Sequence, residues 1–365
     1  MNTPPAKMTH SFIYLQYLRG VAAMMVVYFH SVVQLRNFGI DKPLLPMIGE
    51  SGVDLFFVLS GFLMWITTSG KEVSPGSFML KRLMRIVPLY WMLTLTAGAA
   101  ALLAPSLLKH TLFEVTHFVS SLMFFPAPNP SYLDPSEAGL LLTPILVPGW
   151  TLNYEMFFYV VFACALLFPQ RLRLPLVAGT FVVLAIARVT LSSDAMALQF
   201  YGNPIVFEFV MGMGVAMLVK RRTLIDARWA GIMTLVALAV MLLANLADLV
   251  VSRAIAFGIP AAFVVYGLCC LEIRGALRNF KYLRIVGDAS YSLYLTHVFT
   301  LVVCRLIFQH VYKADSLATE LAFVALCLAL SVTGGVITYY VYEKPTSGLL
   351  NKIKTRAAVP ADVHS

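Results

Sequence analysis

The stretch YLQYLRGVAAMMVVYFHSVVQ, residues 14–34, decides the fold class of this chain. It is apolar and about as long as the roughly 20 residues that cross a bilayer as a helix. It nevertheless carries Arg19 and His30, which share one helical face about 16 Å apart along the axis. Ionisable side chains inside membrane segments are costly and usually face a protein interior or a wet cavity. Both residues are therefore candidates for function.

The rest of the chain has the composition of a membrane protein. Of its 365 residues, 59% are hydrophobic and 12% are charged, whereas soluble domains are about 25% charged. Apolar runs predict an all-α, polytopic integral membrane bundle of about ten transmembrane helices. Their predicted bounds are 14–35, 48–68, 86–104, 150–168, 174–191, 203–219, 229–247, 253–271, 287–308 and 318–342. We expect one domain, 11–345, with short cytoplasmic tails at 1–10 and 346–365, and an interfacial helix within Leu107–Phe125.

The distribution of basic residues predicts the orientation. Placing both termini in the cytoplasm leaves most of the 27 lysines and arginines on the cytoplasmic side. The formal charge of +9 is then a topology signal and a contact for membrane lipid, and we expect no nucleic-acid partner. The five cysteines lie in or beside apolar segments without metal-ligand spacing, so we expect no metal site.

This orientation places Arg19 near the cytoplasm and His30 in the outer half of the bilayer. A neutral imidazole can take a proton from a hydroxyl that attacks an acyl carbon, and a carboxylate at its other nitrogen would orient it. Polar positions on other helices are expected at the level of His30: Asp54, Asn153, Glu155 and Glu208. Any of the three acids could be the partner. Alternatively, His30 is a buried histidine bonded to a helix carbonyl.

A basic group is expected at the cytoplasmic start of the third helix. Arg82 and Arg85 are three residues apart and share a face there, and paired guanidinium groups suit phosphates. With Arg19 they predict a site for a phosphate-bearing ligand, although they could simply anchor the helix. Ser60 could line that site, whereas Gly61 is expected to allow close helix packing.

The ninth helix is predicted to begin at Asp288, as an N-cap, and to place His297 near mid-membrane. Tyr291, Tyr294 and His297 on this helix either have a structural role or contact the substrate. Glu343, in the sequence YEKP, is expected at the cytoplasmic end of the last helix. The candidate acceptor-side residues are Trp150, Asn153, Glu208, Tyr291 and His297.

Several blocks resemble the membrane acyltransferase 3 family over about residues 11–345. They are YLQYLRGVAAMMVVYFH, GESGVDLFFVLSGFLM, KRLMRIVPLYW, GWTLNYEMFFY, SYSLYLTH and YEKP, and the first two look most like its exopolysaccharide-production branch. The resemblance implies transfer of an acyl group, typically acetyl, from a cytoplasmic donor such as acetyl-CoA to a sugar hydroxyl on the outer side. In family terms Arg19 and His30 are essential, Arg82 and Arg85 help to hold the donor, and the Trp150–Glu155 block lines the acceptor side.

We therefore expect an enzyme of the bacterial inner membrane that needs no bound cofactor. Its acceptor would be an exopolysaccharide, its lipid-linked precursor, an O-antigen or another glycan. Direct transfer and an acyl-histidine intermediate both remain open, as does the oligomeric state. A transporter or flippase of lipid-linked sugars is the alternative, although the sequence shows no paired repeats with matching broken helices.

Overall fold

The computed structural model describes residues 12–38, 40, 42–104, 111–132, 140–191, 195–247, 251–276, 279–309 and 316–357. Within these ranges the chain is helical and contains no strand. The α-helices are α1 Ile13–Gln34, α2 Gly52–Thr68, α3 Pro75–Leu103, α4 Val115–Leu122, α5 Trp150–Ala165, α6 Gln170–Thr190, α7 Met196–Tyr201, α8 Phe207–Lys220, α9 Ala227–Leu246, α10 Ile259–Ile273, α11 Lys281–Asp288, α12 Ser290–Phe308, α13 Leu317–Thr338 and α14 Lys344–Ala357. π-helical turns precede α10, at Ala254–Gly258, and join α13 to α14, at Tyr339–Glu343.

Six helical segments in the described ranges are long and apolar enough to cross a membrane. They are Pro75–Leu103, Gln170–Thr190, Ala227–Leu246, Ala254–Ile273, Ser290–Phe308 and Leu317–Leu350. Helix α1 falls outside this group because Gln16, Arg19 and His30 dilute its apolar run. The all-α membrane fold is therefore confirmed, while the number of ten spans stays a prediction.

Hydrogen bonds to two glutamates show which segments of the chain lie side by side at each end of the bundle. At one end, Glu272 at the end of α10 accepts hydrogen bonds from the backbone N–H groups of Ile13 and Tyr14, at 2.7 and 3.0 Å. At the other end, Glu320 in the first turn of α13 accepts from the N–H groups of Leu44 and Leu45, at 3.0 and 2.9 Å. The start of α1 thus lies beside the end of α10, and the start of α13 lies beside the connection that follows α1.

Helices α2 and α8 approach each other through glycine. A Cβ atom on Gly61 would lie 1.9 Å from the carbonyl oxygen of Phe209, and one on Gly212 would lie 1.9 Å from that of Val58. No side chain fits at either position, so the two backbones touch directly. The ring of Phe209 then stacks on Phe158 of α5, with centroids 4.4 Å apart. The expected packing role of Gly61 is confirmed.

A second close contact sets the register of α2 against α1. A Cβ atom on Gly52 would lie 2.4 Å from the carbonyl oxygen of Ala22. Further along, the rings of Phe12 and Phe62 meet edge to face at 5.5 Å. Because the two helices are antiparallel, α2 begins opposite the middle of α1 and ends beyond its first turn. The C-terminal part of α1 therefore extends past the start of α2.

The third helix begins earlier than expected. It starts at Pro75 rather than near residue 86, with the Ser74 side chain accepting a hydrogen bond from the N–H of Ser77 at 3.3 Å. Arg82 and Arg85 consequently lie about two to three turns inside the helix, not at its entry. A serine followed by a proline is a known helix start, and this signal was present in the sequence.

Two other helix boundaries also need correction. Asp288 ends the short helix α11 and is not the N-cap of α12, which begins at Ser290. The last helix continues through a π-helical turn into α14, so Glu343 lies within a helical segment rather than at its end. Within the expected interfacial segment the structure forms α4 at Val115–Leu122, and its residues 107–110 lie outside the described ranges.

Candidate functional site

A cavity of about 720 Å³, counting its mouth, lies between α1, α2, α3, α5 and α12. The walls are mostly apolar, with polar groups converging from all five helices. The polar lining residues are Arg19, Ser60, Arg85, Thr151, Glu155, Tyr159, Ser290, Tyr291 and Tyr294. The structure thus brings together residues that are far apart in the sequence.

Arg19 and Arg85 supply positive charge to this cavity. They are close enough to repel each other, and Arg19 is also attracted by the carboxylates of Glu155 and Glu343. Glu155 is held by the hydroxyl of Ser60, which donates to it at 3.1 Å, and by the hydroxyl of Tyr159. Two guanidinium groups beside one cavity form a suitable site for a polyanionic group such as a diphosphate.

Glu343 belongs to the same group of charges. Its carboxylate accepts a hydrogen bond from the Ser292 hydroxyl at 2.5 Å, and it lies within electrostatic reach of Arg19 and Arg85. The sequence suggested a residue at a helix end instead. The motif YEKP singled it out, but only the packing of α13 against α12 shows what it faces.

Arg82 does not line the cavity. Its guanidinium lies over the rings of Phe78 and Tyr159, 5.4 and 5.8 Å from their centroids. Since Tyr159 forms part of the cavity wall, it separates the guanidinium of Arg82 from the cavity. Of the two arginines that were expected to act together from α3, only Arg85 reaches the cavity.

His30 is paired with a second histidine. Its Nδ1 lies 3.0 Å from the carbonyl oxygen of Val26 and 3.3 Å from Nε2 of His297. Nδ1 of His297 lies 2.6 Å from the carbonyl oxygen of Tyr294, whose side chain lines the cavity. Neither histidine lines the cavity itself, but His297 lies one helical turn along α12 from Tyr294, whose backbone carbonyl it contacts. His297 was expected on the acceptor side, separate from His30, and the structure joins the two.

The expected partnership between His30 and an acid is not found. No acid in the described ranges is hydrogen-bonded to His30, and Glu155 is instead bonded to Ser60 and Tyr159. The reason is the register of the helices. Since α2 begins opposite Ala22 and runs antiparallel to α1, Asp54 lies about 15 Å from His30 along the axis of α1, toward the N-terminus of α1. The expectation that these acids share the level of His30 is wrong for Asp54 and Glu155.

Asp54 belongs to a separate ionic cluster with Arg253. The guanidinium of Arg253 donates to both carboxylate oxygens of Asp54, at 3.0 and 2.8 Å, and to Glu50 at 3.1 Å. Asp54 is completely buried, and the buried Glu208 lies within electrostatic reach of it. Arg253 was not predicted, because nothing in its local sequence distinguishes it from an outer basic residue.

The other acceptor-side candidates do not form one surface. Trp150 packs edge to face on Phe57 and Tyr154, and Asn153 is completely buried. Tyr291 lines the cavity, but its hydroxyl donates to the carbonyl oxygen of Ile86 at 2.7 Å, near the arginines. In the part of the chain that the structure describes, no group of His, Cys, Asp and Glu could hold a metal ion.

Comparison with known proteins identifies the family. The family model Acyl_transf_3, described as an acyltransferase domain, matches residues 12–340. The chain is 37% identical over 304 residues to the exopolysaccharide production protein ExoZ of Rhizobium meliloti (strain 1021), covering 82% of this chain and 89% of that protein. It is 32% identical over 178 residues, 44% of this chain and 83% of the other, to Protein 2 in the picA locus of Rhizobium radiobacter. No solved structure matches significantly. The chain therefore belongs to the acyltransferase 3 family and is a membrane acyltransferase.

Proposed function

We propose that this enzyme moves an acyl group, most often acetyl, from cytoplasmic acyl-CoA to a hydroxyl of an extracytoplasmic sugar. The acceptor is an exopolysaccharide or its lipid-linked precursor. One observation carries the proposal: a single cavity is lined by two arginines and by Tyr294, and the backbone carbonyl of Tyr294 is bonded to His297, the partner of His30. The similarity to a relative named for exopolysaccharide production supports the class of acceptor.

The donor half of the proposal rests on the geometry of α1. Ten spans with a cytoplasmic N-terminus place Arg19 toward the cytoplasm, consistent with the positive-inside rule. Arg19 and Arg85 bind the phosphates of CoA, and Ser60 lines the path beside them. The extended pantetheine arm then carries the thioester across the roughly 16 Å to the level of His30. Arg82 supports this site from behind Tyr159.

The chemistry needs one base beside the thioester. His30 removes the proton from the sugar hydroxyl while the hydroxyl oxygen attacks the thioester carbonyl carbon. A carbon–oxygen bond forms, the carbon–sulfur bond breaks, and the departing CoA thiolate receives the proton from His30. An acyl-histidine route differs in that a nitrogen of His30 attacks first and the sugar then takes the acyl group from it, with the same overall balance.

The test uses a deletion strain complemented with the wild type, His30→Ala, Arg19→Ala or Gly214→Ala. The last is a matched control, because a Cβ atom on Gly214 meets nothing within 4 Å. Tandem mass spectrometry of the exopolysaccharide and the lipopolysaccharide is expected to show one acyl modification that the deletion strain lacks. Complementation with the wild type or Gly214→Ala should restore it. His30→Ala and Arg19→Ala, inserted at equal levels, should not restore it.

The same experiment separates the alternatives. An acyl modification restored on lipopolysaccharide alone would move the acceptor to an O-antigen. Polymer that is fully acylated but trapped inside the deletion strain would replace the proposal with a transporter. Full acylation with His30→Ala would remove His30 from the reaction.

A further inference from the structure

The two histidines are hydrogen-bonded in an order that assigns their protons. Nδ1 of His297 lies 2.6 Å from the carbonyl oxygen of Tyr294. A carbonyl oxygen can only accept, so this nitrogen carries the proton. A neutral imidazole with its proton on Nδ1 has a lone pair on Nε2. Nε2 of His297 is therefore an acceptor, and it faces His30.

The same reasoning now assigns the proton of His30. Its Nδ1 faces two acceptors, the carbonyl oxygen of Val26 at 3.0 Å and Nε2 of His297 at 3.3 Å. Nδ1 of His30 must therefore carry the proton, shared between the two. The lone pair of the neutral ring is left on Nε2 of His30. In this tautomer the neutral ring can act as a general base through Nε2.

We propose that His297 is a positioning residue that, together with the carbonyl oxygen of Val26, holds His30 in this tautomer and ring orientation and keeps Nε2 available as the base. The inference rests on the proposed function, in which His30 accepts the hydroxyl proton. In many hydrolases a buried aspartate orients the histidine in this way. Here a neutral imidazole and a backbone carbonyl occupy that place, and His297 is itself completely buried.

A neutral partner suits a base inside a membrane. A carboxylate beside His30 would keep an unpaired charge in a poorly solvated site whenever the imidazole is neutral, at a cost of several kcal/mol or more. The lone pair of His297 places no charge there. When Nε2 of His30 takes a proton, the positive ring still donates from Nδ1 to Val26 and His297, and hydrogen bonds from a charged donor are stronger than neutral ones.

Three substitutions separate this role from simple packing. Glutamine can place a carbonyl oxygen near the former position of Nε2 and so restores the acceptor for His30. Asparagine is shorter: it keeps a donor for the Tyr294 carbonyl but offers no acceptor to His30. Phenylalanine fills the space of the ring and offers neither. The variants are therefore His297→Gln, His297→Asn and His297→Phe.

The assay measures transfer of label from [¹⁴C]acetyl-CoA into polymer, using membranes of the producing strain and rates normalised to the amount of enzyme. His297→Gln is expected to keep the maximal rate within about tenfold of the wild type. His297→Asn and His297→Phe should lose about 100-fold, the typical size of a general-base contribution. The KM for acetyl-CoA should change less than about threefold in all of them, since the arginine end of the cavity is untouched.

Thermal unfolding in detergent identifies any variant that fails to fold, and the Asn and Phe variants substitute for each other in that case. Equal rates for the Gln and Asn variants, or a raised KM with an unchanged maximal rate, would overturn the role of His297 alone. Absence of transfer from both acetyl-CoA and succinyl-CoA in wild-type membranes would overturn the proposed function and this inference with it.

Discussion

Gly212→Ala places a methyl group where the structure has no room for one. The added Cβ atom would lie 1.9 Å from the carbonyl oxygen of Val58, whereas ordinary contacts begin at 3.4 Å, so α2 and α8 must separate by about 1.5 Å. A backbone oxygen within a helix cannot rotate aside as a side chain can. We therefore expect a loss of stability of about 3 kcal/mol, at or above the upper end of the range for overpacked cores.

The assay is thermal unfolding of the purified enzyme in detergent, followed by far-UV circular dichroism. Gly214→Ala lies two residues along α8 and is the control, because its Cβ atom meets nothing within 4 Å. Alanine is a better helix former than glycine, so this control should be unchanged or more stable by about 0.5–1 kcal/mol. Gly61→Ala, on the opposite side of the same contact, should behave like Gly212→Ala.

The separation should also affect the site. Helix α2 carries Ser60, whose hydroxyl lies 3.1 Å from Glu155 on α5, and a shift of this size would break that bond. Acyl transfer should therefore fall together with the unfolding temperature. Equal unfolding temperatures for Gly212→Ala and Gly214→Ala would refute the argument that direct backbone contact holds α2 against α8.

Two further predictions concern the charged groups. Asp54→Asn weakens the pair between completely buried Asp54 and Arg253, whose side chain is 27% exposed, and should cost about 3 kcal/mol, the lower end of the range for buried pairs. Glu50→Gln, with a side chain that is 37% exposed, should cost less than about 1 kcal/mol. Thermal unfolding of both variants tests this, and similar losses would contradict it. Arg85→Ala should raise the KM for acetyl-CoA at least about tenfold, since each charge-assisted hydrogen bond contributes about 1.5–3 kcal/mol. Arg82→Ala, which removes a residue behind the wall, should leave this KM within about threefold but lower the unfolding temperature; an equal rise in KM for both would place Arg82 in the donor site.

The candidate site could be predicted only in part. Arg19 and His30 were found because both are ionisable residues in one apolar helix, and the face they share follows from helix geometry alone. Their cavity partners Ser60, Glu155 and Tyr291 were also singled out from the sequence. What was wrong was their grouping, since Glu155 and Tyr291 lie with the arginines rather than with His30.

The sequence by itself determined that this chain is helical, lies in a membrane and belongs to its family, because apolar run length, helical period and local motifs are properties of neighbouring residues. Only the tertiary structure decided the partners of the buried charges. Arg253 meets Asp54 across 199 positions of the chain, and His297 meets His30 across 267. These contacts depend on the axial offset between neighbouring helices. The direct backbone contact of Gly52 with Ala22 sets that offset for α1 and α2, and no local pattern encodes it.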